Sequence, residues 1–156
     1  MSEITIRRAT IEDVSMITHQ RHAMFAEMGH GTPESRAKMD IHFADWLHPR
    51  LVSEEYIGWM ACDGDKVVAG LGLWIIQWLP APDGVTFVRP YVCNVYTEPT
   101  HRKQGIARDL VMLMLDYCRA CGYSRVRLHA SVFGKPLYEQ LGFIPTNEME
   151  FIFDES

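Results

Sequence analysis

Alternating and helical spacings of apolar residues predict one strand and two helices in the first third of the chain. Residues 4–8, ITIRR, alternate as a half-buried strand does. Thr10 followed by Asp13 is typical of a helix N-cap with an acid at the third helical position. The positions in helical phase after it are Val14, Ile17, Arg21, Met24, Phe25 and Met28. A second helix is predicted over residues 33–47, with Thr32 as its cap.

The apolar period then changes to that of strands. Residues 55–79 predict two strands joined by the hairpin turn Asp63-Gly64-Asp65. The later predictions are a surface loop at PAPDG (80–84), a strand at FVRPYVCNVYT (87–97), an amphipathic helix closed by Gly122, a strand at SRVRLHA (124–130), a short helix over Pro136–Leu141 and a final strand at EMEFIF (148–153).

This order of elements, β-α-α-β-β-β-α-β-α-β, predicts an α/β fold of the mixed α+β kind. Helices should cover the faces of a mixed β-sheet, and residues 1–156 should form a single domain. The strand–helix–strand unit from Val92 to His129 should be a right-handed parallel crossover.

Composition narrows the class of protein. With 47% apolar and 22% charged residues, the chain can bury a sizeable core. No apolar run reaches the roughly 20 residues of a membrane span, and the beginning MSEITIRRAT lacks the apolar stretch of a signal peptide. We therefore expect a soluble, cytoplasmic protein that binds no membrane. The net charge of −5 argues against binding nucleic acid through bulk electrostatics, but allows a local basic pocket for a small anion.

The four cysteines predict no metal site. They lack a second cysteine or histidine pair at zinc-binding spacing. We expect reduced thiols, with a redox pair at Cys118 and Cys121 as the alternative.

Three cations surround Gly105 at the predicted beginning of a helix. The first N–H groups of a helix have no intrahelical partner, and the helix dipole places partial positive charge there. Gly105 lets the backbone approach a phosphate without a Cβ in the way. The stretch fits the pattern Q/R-x-x-G-x-G/A, and the predicted diphosphate-binding residues are Arg102, Lys103, Gln104, Gly105, Ile106, Ala107 and Arg108.

This motif, with a strand before it, an amphipathic helix after it and PLYEQLGF downstream, resembles the GNAT superfamily of acyl-CoA-dependent N-acetyltransferases. The resemblance implies acetyl-CoA as co-substrate, with its pyrophosphate on the backbone of residues 102–108. It also implies a sheet whose two parallel strands splay apart. The free backbone groups of the first, around Asn94, Val95 and Tyr96, would then pair with the pantetheine arm.

The reaction that the resemblance implies is direct attack of a neutral amine on the acetyl carbonyl. Tyr138, in the Y-x-x-x-G-F pattern, is the expected proton donor to the leaving thiolate, and a packing tyrosine is the alternative. Ser131 and Lys135 could contact the pantetheine or a phosphate, unless they belong to a solvated loop. The oxyanion donor should be a backbone N–H at Val95 or Tyr96.

Neither the general base nor the acceptor is identified by a motif. The base candidates are Glu98, His22, Glu27, His30 and His129, each with a surface or structural alternative, and a water chain could replace them. The aromatic residues that could line an acceptor pocket, or simply form core, are Phe25, Trp46, Trp59, Trp74, Trp78 and Tyr96, with Trp46 and Trp78 the better pocket candidates. No histidine lies close in sequence to Cys93, which favours direct transfer over an acetyl-enzyme.

Two other functions stay open at this point. One is a non-catalytic acyl-CoA sensor of the same fold, and the other is an enzyme for a different diphosphate ligand. The acceptor would be a small molecule or peptide amine, with a mild preference for a cation given the acidic chain. The tryptophans of LWIIQWLP would suit a homodimer edge.

Overall fold

Five strands form one mixed sheet in the computed structural model, which describes residues 3–82 and 87–154. The sheet order follows the chain, β1-β2-β3-β4-β5. The first four strands pair antiparallel, and β4 and β5 pair in parallel. The elements are β1 (Ile4–Arg8), α1 (Val14–Glu27), α2 (Pro33–Ser53), β2 (Tyr56–Asp63), β3 (Lys66–Gln77), β4 (Val88–Thr97), α3 (Ile106–Ala120), β5 (Arg127–Leu128) and α4 (Lys135–Gln140).

The predicted caps of the first two helices are confirmed. The Asp13 carboxylate accepts the Thr10 N–H at 2.8 Å, and a short 3₁₀ turn then leads into α1. Thr32 caps α2 by accepting the Ser35 N–H at 3.0 Å. The helix α2 continues to Ser53, so the predicted end at Leu47 was too early.

Pro49 does not end α2, although proline removes one backbone donor from a helix interior. The Arg50 guanidinium donates to the Trp46 carbonyl at 2.9 Å and lies 4.4 Å from the Trp46 ring centre. These contacts support the turn that contains Pro49. The helix ends where Glu54 adopts a left-handed φ of 62°.

Helices cover the sheet on both faces, which gives two cores. The helix α3 has a pronounced apolar face, and its buried residues are Ile106, Leu110, Val111, Met114 and Cys118. They pack on one side against strand residues that include Ile57, Trp59, Val68 and Leu73. The second core, under α1 and α2, contains Ile17, Leu47, Tyr56, Met60 and Cys62. No helix within residues 3–82 and 87–154 combines the length and apolar character of a membrane span.

A bulge in β4 and a short parallel pair open the sheet in its middle. In the register of β3 and β4, Gly70 lies opposite Tyr96 and Gly72 opposite Cys93, so β4 holds one extra residue. Asn94, inside this bulge, has a φ of +56°. Beyond Val92, β4 has no pairing with β5. The predicted splay of the two parallel strands is therefore present from residue 93 onward.

The final strand predicted at residues 148–153 is wrong. Within the described part of the chain this stretch has no strand assignment, and the sheet ends at β5. The side chains of Met149, Phe151, Ile152 and Phe153 are between 77% and 93% exposed. Alternation identifies which side chains share a face, but a strand also needs a neighbour to pair with, and no described strand pairs with this stretch. The loop predicted at residues 80–84 lies partly outside the described residues.

Candidate active site

Gly105 begins α3 without a side-chain cap, unlike Thr10 and Thr32 at the earlier helices. Its φ is +79°, a conformation that glycine adopts at little cost. A Cβ built at Gly105 would meet no atom within 4 Å among the described residues, so the space beside the turn is open. The first N–H groups of α3 therefore retain their capacity to donate to an external anion.

The three cations around this turn differ in how they are held. Arg102 pairs with Glu27 on α1 at 2.6 Å and donates to the Thr97 carbonyl at 2.9 Å, so its charge is already partly matched. Lys103 and Arg108 are exposed, and within residues 3–82 and 87–154 neither has a carboxylate at ion-pair distance. They are the cations that remain available to an anion.

The remaining residues of the predicted diphosphate turn have different positions. Gln104 is exposed, Ala107 is half-buried, and the Ile106 side chain is 4% exposed within the sheet core. Ile106 therefore anchors the turn to the core and can offer a ligand only its backbone. The structure thus gathers residues 102–108 at one end of α3, as the sequence predicted.

The predicted pantetheine strand lies in the open part of β4. Asn94 and Tyr96 are buried and Val95 is half-buried. The Tyr96 hydroxyl is 3.5 Å from the Glu27 carboxylate, and the Arg102 guanidinium lies 5.5 Å from the Tyr96 ring centre. Helix α1, the diphosphate turn and β4 are therefore connected through Glu27.

The Asn94 side chain has a structural role that the sequence did not indicate. Its Oδ1 accepts from Arg21 Nη1 at 2.8 Å, and its Nδ2 donates to the Tyr56 hydroxyl at 2.9 Å. These bonds fix the bulge against α1 and β2. Gly72 is required beside them, since a Cβ at that position would lie 1.8 Å from the Tyr56 hydroxyl oxygen.

Tyr138 lies on α4 with its side chain in the sheet core. Its ring packs against Phe143 at 5.6 Å between centres and covers the backbone of Gly134. No described residue hydrogen-bonds its hydroxyl group. Burial raises the pKa of Tyr138 above its ordinary value, so the phenol stays protonated through the neutral range. Such a group can give a proton but does not lose it to water beforehand.

Ser131 and Lys135 have local partners. The Ser131 hydroxyl accepts the Gly134 N–H at 3.0 Å, and its carbonyl accepts the Lys135 N–H at 2.9 Å, which together shape the beginning of α4. The Lys135 amine is 3.9 Å from Glu139 and is 60% exposed. These local contacts give both residues a structural role at the beginning of α4, which is an alternative to the predicted contact with the cofactor.

Most of the candidate general bases already contact an oppositely charged or hydrogen-bonding side chain. His22 contacts Asp40 at 2.8 Å across α1 and α2, Glu98 contacts His19 at 3.4 Å, and Glu27 holds Arg102. His129 is exposed at the end of β5, where its Nδ1 is hydrogen-bonded to the Tyr91 hydroxyl. His30 is exposed just after α1. These contacts do not single out one of the five candidates as a dedicated base.

A cleft of about 460 Å³ opens between α2 and the bulged part of the sheet. Its aromatic walls are Phe43, Trp46, Trp74 and Tyr91, and Arg21, Cys93 and Asn94 lie along the side formed by α1 and β4. Met39 and His42 complete the lining on α2. We call this the aromatic cleft.

The aromatic cleft contains only part of the predicted aromatic set. Trp46 and Trp74 line it, whereas Trp59 is core against Tyr117, and Trp78 lies elsewhere with Arg89 over its ring at 3.9 Å. The helices α1 and α2 both contribute residues to the cleft. Sequence reasoning missed Arg21, whose signal was a charged residue in phase with the apolar face of α1.

Cys93 borders the aromatic cleft but is poorly suited to act as a nucleophile. Burial raises the pKa of its thiol to about 11, which leaves little thiolate at neutral pH. The described cysteines are all free. No group of three or more metal-ligating side chains occurs within residues 3–82 and 87–154.

Comparison with known families decides the assignment. The family model of the acetyltransferase (GNAT) family matches residues 17–143, which includes the buried residues of both cores, the bulge, residues 102–108 and Tyr138. The chain belongs to the GNAT acetyltransferase family. The resemblance inferred from the sequence is confirmed, and so is the mixed sheet flanked by helices.

Solved GNAT structures share the whole fold. A GCN5-related N-acetyltransferase from Ralstonia eutropha JMP134 has a TM-score of 0.90 at 35% identity, over 97% of this chain and 99% of that one. A predicted acetyltransferase from Clostridium acetobutylicum, solved with acetyl-CoA, has a TM-score of 0.88 at 23% identity, over 97% and 96%. At 23% identity, the similarity to the Clostridium acetobutylicum protein shows a shared fold alone.

Among curated proteins, the human N-acetyltransferase 8 is 32% identical over 97 residues. The human N-acetyltransferase 8B is 34% identical over 97 residues. Each match covers 60% of this chain and 40% of the human protein. The matched residues of this GNAT chain thus span less than half the length of these relatives.

Proposed function

We propose that this GNAT protein transfers an acetyl group from acetyl-CoA to the primary amine of a small molecule or peptide, by direct attack in a ternary complex. The observation that carries the proposal is the uncapped beginning of α3 at Gly105, next to the place where β4 and β5 diverge. The first feature suits a diphosphate, and the second leaves room for an extended arm beside β4.

In this proposal, backbone groups hold most of the cofactor. The N–H groups from Gly105 to Arg108 bind the diphosphate, and the exposed charges of Lys103 and Arg108 add charge-assisted hydrogen bonds. Arg102 contributes mainly by fixing the turn to Glu27. Backbone groups around Asn94, Val95 and Tyr96 pair with the pantetheine arm as an added strand would. Ser131, in the turn before α4, and Lys135, at the beginning of α4, contact the same arm or a phosphate.

The chemistry requires one bond to form and one to break. The amine nitrogen attacks the acetyl carbonyl carbon, so that a C–N bond replaces the C–S bond of the thioester. A backbone N–H at Val95 or Tyr96 donates to the carbonyl oxygen. Tyr138 gives its phenolic proton to the departing thiolate, and the proton lost by the amine returns to the phenolate through solvent.

The state of Cys93 supports direct transfer over an acetyl-enzyme. A covalent route needs a thiolate, and burial holds the pKa of this thiol near 11. The groups that interact with this thiol are Arg21, the Tyr56 hydroxyl and the Trp74 backbone, none of which is a general base. The amine of the acceptor is then the only nucleophile that the reaction needs.

Transfer is tested by incubating the protein with acetyl-CoA and a panel of amino acids, polyamines, aminoglycosides and peptides. The readouts are free CoA and the mass of an acetylated product. The proposal predicts a product 42 Da heavier for at least one class, the mass of an acetyl group replacing a hydrogen. Binding of acetyl-CoA with no product across the panel would favour the non-catalytic sensor. A melting temperature raised by ATP or NAD but not by acetyl-CoA would favour another diphosphate ligand.

A further inference from the structure

The charge of the aromatic cleft is unusual for a site that would receive a polyamine or an aminoglycoside. Among the described residues, neither aspartate nor glutamate lines it, and its basic side chains are Arg21 and His42. A multiply protonated acceptor would meet the fixed charge of Arg21, with no carboxylate among the described lining residues to offset it. The lining therefore disfavours the cationic acceptors that the net charge of the whole chain suggested.

Arg21 is held in place but not neutralised. Its guanidinium carbon lies 4.8 Å from the ring centre of Phe25 and 5.0 Å from that of Phe43, so two rings flank it. Its hydrogen-bond partner among the described residues is the neutral amide of Asn94. Its Nε is buried and has no partner there. A guanidinium in this state binds a carboxylate strongly, because a planar fork of donors is already oriented.

The rest of the cleft matches an apolar group. Trp46 and Trp74 meet edge to face at 5.2 Å between ring centres, and Phe43 stacks on Trp46 at 5.8 Å. These rings form one wall, and Arg21 with Asn94 forms the neighbouring one. A volume of about 460 Å³ admits a compact molecule with one ring.

Position along β4 connects this cleft to the reacting centre. Asn94, which holds Arg21, directly precedes Val95, whose backbone is expected to face the thioester. A molecule with its carboxylate on Arg21 therefore brings an amine one carbon away close to the acetyl carbonyl. This short separation between Arg21 and the acetyl carbonyl would not suit an extended chain whose amine is many carbons from its carboxylate.

We propose that the acetyl acceptor is an α-amino acid with a large apolar or aromatic side chain, its carboxylate bound by Arg21 and its side chain by the Phe43–Trp46–Trp74 wall. This rests on the proposed transferase function and names the acceptor class of the same site. The attacking atom is the α-amine, and the product is the N-acetyl amino acid with free CoA.

The test compares substrates that differ in one feature. Phenylalanine is the reference, phenylalaninamide lacks only the carboxylate, alanine lacks the ring, and spermidine is the cationic comparison. The amine of phenylalaninamide loses its proton more readily, so a slower reaction reports the missing carboxylate. We expect kcat/KM for phenylalanine to exceed that for phenylalaninamide by roughly 100-fold, since an unpaired buried donor rejects the analogue.

Variants of Arg21 test whether this residue causes the preference for phenylalanine over phenylalaninamide. Arg21→Met should reduce the preference for phenylalanine over phenylalaninamide to near unity, and Arg21→Lys should restore part of it. Arg119→Met, on the exposed side of α3 where Arg119 pairs with Asp116, is the matched control and should leave the ratio unchanged. If Arg21→Met does not fold, the acceptor class is still tested by Arg21→Lys and by the comparison of phenylalanine with phenylalaninamide in the unaltered protein.

The outcomes separate this inference from the function on which it rests. Equal rates for phenylalanine and phenylalaninamide, or faster transfer to spermidine, overturn the acceptor class and leave the transferase standing. An unchanged ratio in Arg21→Met overturns the role of Arg21. If acetyl-CoA does not raise the melting temperature, or if no amine is acetylated, the proposed function fails and the acceptor class fails with it.

Discussion

Arg21 Nη1 on α1 donates a hydrogen bond of 2.8 Å to Oδ1 of Asn94, in the bulge of β4. The two residues are far apart in the chain, and each is unusual for its element. Arg21 is a charge on the apolar side of a helix, and Asn94 is a non-glycine residue with φ of +56°. Their contact fixes the bulge, which borders the aromatic cleft.

Removing the Asn94 amide should destabilise the protein. Asn94→Gly keeps the left-handed backbone accessible but leaves the buried Tyr56 hydroxyl without its donor, and we expect a loss of about 1–3 kcal/mol in the free energy of unfolding. Asn94→Ala should cost roughly 1 kcal/mol more, because alanine resists a positive φ. Urea denaturation measures both. If the alanine variant is the more stable of the two, the positive φ at residue 94 does not strain a non-glycine residue as we expect.

Replacing Gly105 should affect CoA binding more than folding. Gly105→Ala introduces a Cβ at φ +79°, which costs roughly 1–2 kcal/mol in stability, and it places a methyl group where the diphosphate is proposed to bind. Gly122→Ala is the matched control: Gly122 has φ of +77°, equally open surroundings, and lies past the other end of α3. Isothermal titration with CoA should show weaker binding for the Gly105 variant alone. Equal affinities in the two variants would contradict the role of the turn.

Tyr138→Phe should reduce turnover and leave folding nearly unchanged. The ring keeps its contact with Phe143, while the proton donor is lost, so we expect kcat to fall by about 10²–10⁴-fold with little change in CoA affinity. Tyr123→Phe is the control, a tyrosine whose pKa is likewise raised by burial and which lies near the far end of α3. Similar kinetics for the two variants would indicate that Tyr138 serves packing alone.

The pH dependence of the reaction follows from the state of Tyr138. Burial raises the pKa of Tyr138 above its reference value of about 10, so loss of its proton should lower kcat only at pH values above that. This alkaline limb should be absent in Tyr138→Phe. A pH profile that falls near neutrality in both proteins would assign the limiting group elsewhere.

The pairing of Asp13 with Arg7 predicts a loss of stability in acid. Arg7, at 2.8 Å, and then the Thr10 N–H lower the pKa of Asp13 in the folded protein. The stabilisation is therefore complete above the unfolded pKa of about 3.9 and is lost as the pH falls through the lower folded value. Asp13→Asn should be less stable than the unaltered protein by about 1–2 kcal/mol at pH 7, since Arg7 is half-exposed and its charge is screened. Thermal unfolding between pH 2 and 7 should show the two curves converging in acid.

Local chemistry explains why part of this structure could be predicted from the sequence. The turn at Gly105 and the caps at Thr10 and Thr32 depend on neighbours within four residues, so spacing alone indicates them. The early end predicted for α2 failed because Arg50 supports the turn around Pro49, a contact that spacing does not show.

The aromatic cleft could not be predicted in the same way. Its walls come from α1, α2, β3 and β4, and contacts between residues as distant as Arg21 and Asn94 are set by packing. The strand predicted at residues 148–153 failed for a related reason. Its alternation is real, and Phe151 and Phe153 do share a side at 5.0 Å between ring centres, but no described strand pairs with it.

The position of the coenzyme diphosphate tests the central claim most directly. In a crystal structure of the protein grown with CoA, we expect diphosphate oxygens within about 3 Å of backbone nitrogens between Gly105 and Arg108, with Lys103 or Arg108 nearby. The pantetheine arm should run along β4 at Asn94–Tyr96. A diphosphate bound elsewhere, with the beginning of α3 contacting only solvent, would contradict the account.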